Sequence, residues 1–125
     1  MKSTIKFELA LLHMIHLLVH ADGPVDDRER NVIQLIRKEE KIPDAVYRTF
    51  EISLTMVNEK VLYNRAIALL CQCSEEDRIK VFVHLYRLAK ADDDLSMKEV
   101  RMLFYALHDT KINFDDVVRF ARMAS

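Results

Sequence analysis

The sequence A-D-G-P-V-D-D-R-E at residues 21–29 returns 70 residues later as A-D-D-D-L-S-M-K-E at residues 91–99. The offset pairs identical or similar residues in the two stretches: Ala21 with Ala91, Asp22 with Asp92, Val25 with Leu95, and Glu29 with Glu99. Outside the two stretches it pairs apolar residues: Leu18 with Leu88, Ile33 with Leu103, and Ile42 with Ile112. This pattern predicts a duplicated helical hairpin, an internal repeat of about residues 5–42 and 75–112.

The amino-acid composition predicts a single all-α domain over residues 1–125. Half of the 125 residues are hydrophobic, which is enough for one core in a chain of this size. One glycine and two prolines are present, so the turn residues that sheets and long loops need are scarce. We therefore expect a compact bundle of about seven helices. They should begin near Thr4, Asp27, Pro43, Asn58, Ser74, Met97 and Asn113. In the second helix we expect Val32, Ile33, Leu35 and Ile36 to face the core.

The charge pattern argues against a nucleic-acid partner and against membrane insertion. The net charge is −1, and basic and acidic residues are interleaved, so no basic face for a phosphate backbone is predicted. The apolar run from Phe7 to Ala21 is interrupted by a glutamate and three histidines and is too short to span a bilayer. We expect this run to be a core helix of a cytoplasmic protein. The two cysteines, Cys71 and Cys73, fit a reducing compartment.

The repeated stretches are rich in acidic residues, and helix capping explains part of this enrichment. Asp26 and Ser96 are preferred N-cap residues, and Glu29 and Glu99 follow them at capping-box spacing. Capping does not explain why Asp22 and residues 92–94 are acidic as well.

The second explanation is a divalent cation site, because Ca²⁺ and Mg²⁺ prefer several carboxylate oxygens in one place. Asp92, Asp94 and Ser96 resemble the start of an EF-hand loop, but Met97 and Leu103 stand where that loop needs its glycine and its closing glutamate. We therefore predict a different site that pools carboxylates from both stretches. Its candidate ligands are Asp22, Asp26, Glu29, Asp92, Asp94 and Glu99. The two explanations are compatible.

The two stretches also resemble the duplicated A-D-G-x-[VIL]-x-x-x-E signature of the tellurite-resistance TerB-like family. The matching acidic residues are Asp22, Glu29, Asp92 and Glu99, and the resemblance covers most of the chain. It implies a compact helical bundle, a divalent metal such as Ca²⁺ at the acidic loops, and a role in the stress response. The chain departs from the signature at Asp93, which replaces a glycine.

Three histidines and two cysteines form the other patterns that could bind a metal. His13, His16 and His20 share one stripe of the first helix at spacings found among transition-metal ligands, although the polar edge of a buried helix has the same pattern. Cys71 and Cys73 lie two residues apart and would point to opposite sides of a helix, so they predict neither a metal site nor a redox pair.

The sequence contains none of the common catalytic motifs, so we expect no enzyme activity. The expected function is a TerB-like binding module with weak divalent-cation binding and a protein partner. The alternative is a structural interaction or oligomerisation domain without metal, in which the apolar first helix docks a partner or a second copy.

Overall fold

The computed structural model describes residues 4–19, 27–55, 57–91 and 97–123. These residues form seven α-helices and contain no strand, which confirms the all-α bundle. The helices are α1 (Ile5–Val19), α2 (Asp27–Glu39), α3 (Asp44–Leu54), α4 (Glu59–Cys71), α5 (Glu75–Ala91), α6 (Met97–Asp109) and α7 (Phe114–Met123).

The helices begin where side chains cap them, as the sequence predicts. Asn58 accepts a hydrogen bond from the Val61 amide at 2.9 Å, and Ser74 accepts one from the Asp77 amide at 3.1 Å. Such caps satisfy amides that have no partner inside the helix. The third helix begins one residue later than predicted, because Pro43 has extended backbone angles and forms the N-cap position itself.

Helices α1 and α5 form the centre of the bundle. Eleven of the fifteen residues of α1 are buried, and the helix packs against α3, α4, α5 and α6. Helix α5 packs against α1, α6 and α7. The sequence predicted α1 as a core helix, and its burial leaves no broad apolar face for a partner. Docking of a partner or a second copy through α1 stays a prediction, with Ile5 as its most exposed large apolar residue.

The 70-residue offset of the sequence recurs in the ends of the helices. Helices α2 and α6 each have 13 residues and begin 70 residues apart. After both helices a lysine adopts a left-handed conformation, with φ of 54° at Lys41 and 58° at Lys111. In each case the next residue is a buried isoleucine, Ile42 or Ile112, whose amide donates back to the helix.

The prediction for Leu35 is wrong, since its side chain is 65% exposed. Ile33 and Ile36 lie three positions apart on one side of α2 and pack into the core, whereas the side chain of Val32 is outside the described part of the chain. Leu35 is about 100° away from Ile36 around the helix and about 200° away from Ile33, which turns it to solvent.

Candidate functional site

The structure places two of the six predicted cation ligands in helices. Glu99 lies in the first turn of α6 and its side chain is buried. Glu29 belongs to α2, but its side chain is outside the described part of the chain. The other four, Asp22, Asp26, Asp92 and Asp94, also lie outside the described residues. Which of the six come together therefore stays a prediction.

The end of α1 and the start of α6, which flank the acidic stretches, both contribute to one groove. Leu17, two residues before the end of α1, and Lys98, the second residue of α6, line one groove. The first acidic stretch follows α1, and the second leads into α6. Helices α1 and α6 also contact each other directly.

This α4–α6 groove is open to solvent and has a volume of about 570 Å³. The first turns of α4 form one wall, α6 forms the other, and Leu17 lies at its floor. Its described lining residues are Leu17, Glu59, Lys60, Tyr63, Lys98, Arg101, Met102, Tyr105 and Asp109. The five from α6 stand at positions 98, 101, 102, 105 and 109, which is the i, i+3, i+4, i+7, i+11 pattern of one helix face.

One end of the groove is fixed by a contact between its walls. The Tyr63 hydroxyl of α4 donates a hydrogen bond of 2.7 Å to Asp109 Oδ2 of α6. Burial, together with this bond and the charge of Asp109, raises the pKa of the Tyr63 hydroxyl. The tyrosine therefore stays protonated and remains a donor over the whole physiological pH range.

A second polar group lies inside the bundle, where the end of α2 meets α5. The Glu40 carboxylate accepts a hydrogen bond from His84 Nε2 at 2.6 Å and forms an ion pair with Lys80 Nζ at 3.0 Å. The side chains of Glu40 and His84 are both more than nine-tenths buried. Burial raises the pKa of Glu40, but the hydrogen bonds and charges of His84 and Lys80 outweigh it and lower that pKa.

Glu8 of α1 is a buried carboxylate near this pair. Burial raises its pKa, and the negative charge of Glu40 raises it further. The pKa values of Glu40 and Glu8 are therefore shifted in opposite directions, although the two carboxyl groups are close enough to interact. Sequence patterns do not indicate this group, because its members come from α1, from α5 and from the turn that follows α2. The visible signal was His84 in the middle of the apolar run Val81–Leu85.

The histidine stripe of α1 packs against an aromatic ring. The rings of His13 and His16 lie 5.0 Å and 6.0 Å from the Phe50 ring, edge to face. His13 Nδ1 is 2.7 Å from the Leu9 carbonyl oxygen, which can only accept, so Nδ1 carries the proton. Burial lowers the pKa of His13. His20 lies outside the described residues.

The described residues form neither a metal centre nor a disulfide, and they contain no membrane-spanning helix. Among them, no three His, Cys, Asp or Glu side chains converge as a metal centre requires. Cys73 donates to the Leu69 carbonyl at 3.3 Å, while Cys71 is exposed, and both thiols are free. None of the seven helices is both long enough and apolar enough to cross a bilayer in the described part of the chain.

A protein-family model described as tellurite resistance protein TerB matches residues 8–119. The matched region covers most of the chain and includes both acidic stretches. Comparison with curated proteins and with solved structures gave no match.

Proposed function

The chain belongs to the tellurite resistance protein TerB family, and we propose that it is a non-enzymatic binding module whose acidic segments hold a divalent cation. The two acidic segments are residues 22–29 and 92–99. The proposed ligands are Asp22, Asp26, Glu29, Asp92, Asp94 and Glu99. The proposed cation is Ca²⁺ or a similar hard ion.

The observation that carries this proposal is that the end of α1 and the start of α6, which flank the two acidic segments, contribute to the same groove. Leu17 and Lys98 line the same groove, and each lies within a few residues of an acidic segment. Since an extended chain spans about 3.5 Å per residue, both segments can reach a common point. A cation there would relieve the repulsion between carboxylates of the two segments.

The expected affinity is low. A complete EF-hand loop is absent from the sequence, so the ligands are not pre-organised in that way. We expect a dissociation constant of about 10⁻⁴–10⁻³ M, as in low-affinity calcium modules. Such a module would respond to a large change in cation concentration, which fits a role in a stress response. We place it in the cytoplasm, where its two free thiols, Cys71 and Cys73, stay reduced.

Thermal unfolding tests this proposal. Millimolar Ca²⁺ should raise the melting temperature of the wild type, because the unfolded chain cannot gather the ligands, and at ten times Kd the gain is about 1.4 kcal/mol. The variant Asp22→Asn/Asp92→Asn should lose this gain. The control Glu39→Gln/Glu51→Gln changes the net charge equally at exposed positions outside the segments and should keep it. If Ca²⁺, Mg²⁺ and Mn²⁺ all leave the wild-type melting temperature unchanged, the cation site does not exist.

The alternative function, an oligomerisation domain without metal, has one observation in its favour. Phe104 is 51% exposed, and its ring lies 5.4 Å from the Phe114 ring, which in turn contacts Tyr86. Exposed aromatic clusters are typical of protein interfaces. Sedimentation of the wild type and of Phe104→Ser tests this alternative. A dimer that Phe104→Ser dissociates would support it, and a monomer at all concentrations would exclude it.

A further inference from the structure

We propose that the α4–α6 groove binds a small organic anion with an aromatic body, either a phosphate or a carboxylate. This inference concerns a different ligand and does not depend on the cation site. The volume of about 570 Å³ lies within the range of small-molecule sites and is too small for a partner domain. The charges and the apolar surface of the groove decide which class of molecule fits.

The charge of the ligand follows from three basic side chains. Lys60, Lys98 and Arg101 line the groove, and none of them makes a hydrogen bond or ion pair with another described residue. Lys98 and Arg101 lie three residues apart on α6, so their head groups can reach one anion. A guanidinium group binds phosphate or carboxylate oxygens in a bidentate manner, and the ammonium group adds a point charge.

The acidic side chains of the groove determine where that anion lies. Asp109 is held by Tyr63 at a position about 16 Å along the α6 axis from Lys98. Glu59, the other described acidic lining residue, belongs to the opposite wall. The anionic group is therefore expected at the Lys98 end, away from Asp109.

The apolar and aromatic lining residues indicate that the body of the ligand is aromatic. Leu17 and Met102 supply apolar surface at the floor, while the rings of Tyr63 and Tyr105 stand on opposite walls. Tyr105 is 65% exposed, so its ring is free to contact a ligand. Flat aromatic groups pack well between such rings, and the tyrosine hydroxyls add hydrogen-bonding capacity.

A binding experiment with three probes separates the parts of this proposal. The probes are 1-naphthyl phosphate, 1-naphthoate and 1-naphthol, added to the full chain in the presence of EDTA and followed by amide chemical shifts. Both anions should shift Lys98, Arg101, Met102 and Tyr105, and the stronger one identifies the head group. Naphthol should bind at least ten-fold more weakly, because it has no charge for the basic side chains.

Variants supply the decisive comparison. Lys98→Gln/Arg101→Gln should weaken binding of the better anion at least ten-fold. The control Lys38→Gln/Arg48→Gln makes the same charge change on the exposed surfaces of α2 and α3. It should change the affinity less than two-fold. The exposed side chains of Lys98 and Arg101 make their removal harmless to the fold. Equal affinity of the wild type and Lys98→Gln/Arg101→Gln would overturn the proposal, as would naphthol binding as tightly as the anions.

Discussion

At the scale of single residues, Lys41 and Lys111 are the two non-glycine residues of the described structure with a left-handed backbone conformation. Each lysine amide donates to the carbonyl three residues back, and the following isoleucine amide donates to the carbonyl five residues back. This Schellman pattern usually has a glycine where the chain reverses. The only glycine of this chain is Gly23, so lysine takes both positions.

Replacing either lysine by glycine should stabilise the protein. A side chain in this conformation costs about 1–2 kcal/mol. Part of the gain is offset because glycine is more disordered in the unfolded chain, which leaves about 0.5–1 kcal/mol. Urea unfolding of Lys41→Gly and Lys111→Gly should show this increase. The control Lys38→Gly, inside α2, should instead lose about 1 kcal/mol. A loss of stability in the first two variants would contradict the assigned backbone conformation.

Replacing Glu40 should also change the stability of the protein strongly. Removing its carboxylate in Glu40→Ala leaves His84 and Lys80 without their partner and should cost about 3 kcal/mol, as in other broken buried pairs. Glu39→Ala, at the neighbouring exposed position, should cost almost nothing. Urea unfolding measures both changes, and equal losses would show that the buried pair contributes no specific stability.

The pH dependence of this loss has a defined sign. The pKa of Glu40 is lower in the folded protein, so its stabilising contribution is present above the unfolded pKa and disappears as the pH falls through the folded value. The difference between wild type and Glu40→Ala should therefore shrink below about pH 4. A difference that stays constant down to lower pH would show that Glu40 is not held ionised by its partners.

The stabilising contribution of Glu8 should depend on pH in the opposite way to that of Glu40. Its pKa is raised in the folded state, so its contribution is most favourable at low pH and is lost as the pH rises through the folded value. Glu8→Gln should therefore gain stability relative to the wild type as the solution becomes more alkaline. Urea unfolding over a range of pH measures this gain. The opposite trend would mean that Glu8 is stabilised as an anion by a partner.

At the scale of helices, local signals in the sequence predicted most of the fold. The caps Asn58 and Ser74 both lie where the sequence indicates a helix start, because a cap acts on amides only two or three residues away. The sequence could not predict the Glu40–His84 pair or the α4–α6 groove in the same way. His84 is 44 residues from Glu40, and Tyr63 is 46 residues from Asp109, so both contacts depend on how whole helices pack.

The capping box at the start of α6 stays a prediction, and Ser96→Ala tests it. A lost N-cap costs about 1 kcal/mol. Ser74 provides an internal reference, because its hydroxyl accepts from the Asp77 amide in the structure. Urea unfolding should show similar losses for Ser96→Ala and Ser74→Ala. A loss in Ser74→Ala alone would show that Ser96 does not cap α6.

At the scale of the whole molecule, the sequence repeat places an acidic segment after each of the two central helices, α1 and α5. The end of α1 and the start of α6 next to these segments line one groove. The family match confirms the TerB resemblance that these segments suggest. The candidate ligands could be named from the sequence, but their geometry could not be predicted, because the two segments contain few apolar residues whose burial would fix their position.

An equilibrium titration of the full chain with Ca²⁺, Mg²⁺ and Mn²⁺, followed by amide chemical shifts, tests the proposed cation site. The account predicts saturable binding of at least one cation with a Kd of about 10⁻⁴–10⁻³ M. The shifts should be largest at the helix ends next to the acidic segments, Val19, Asp27, Ala91 and Met97, and should vanish in Asp22→Asn/Asp92→Asn. Shifts that fail to saturate with all three cations, or that persist unchanged in this variant, would contradict it.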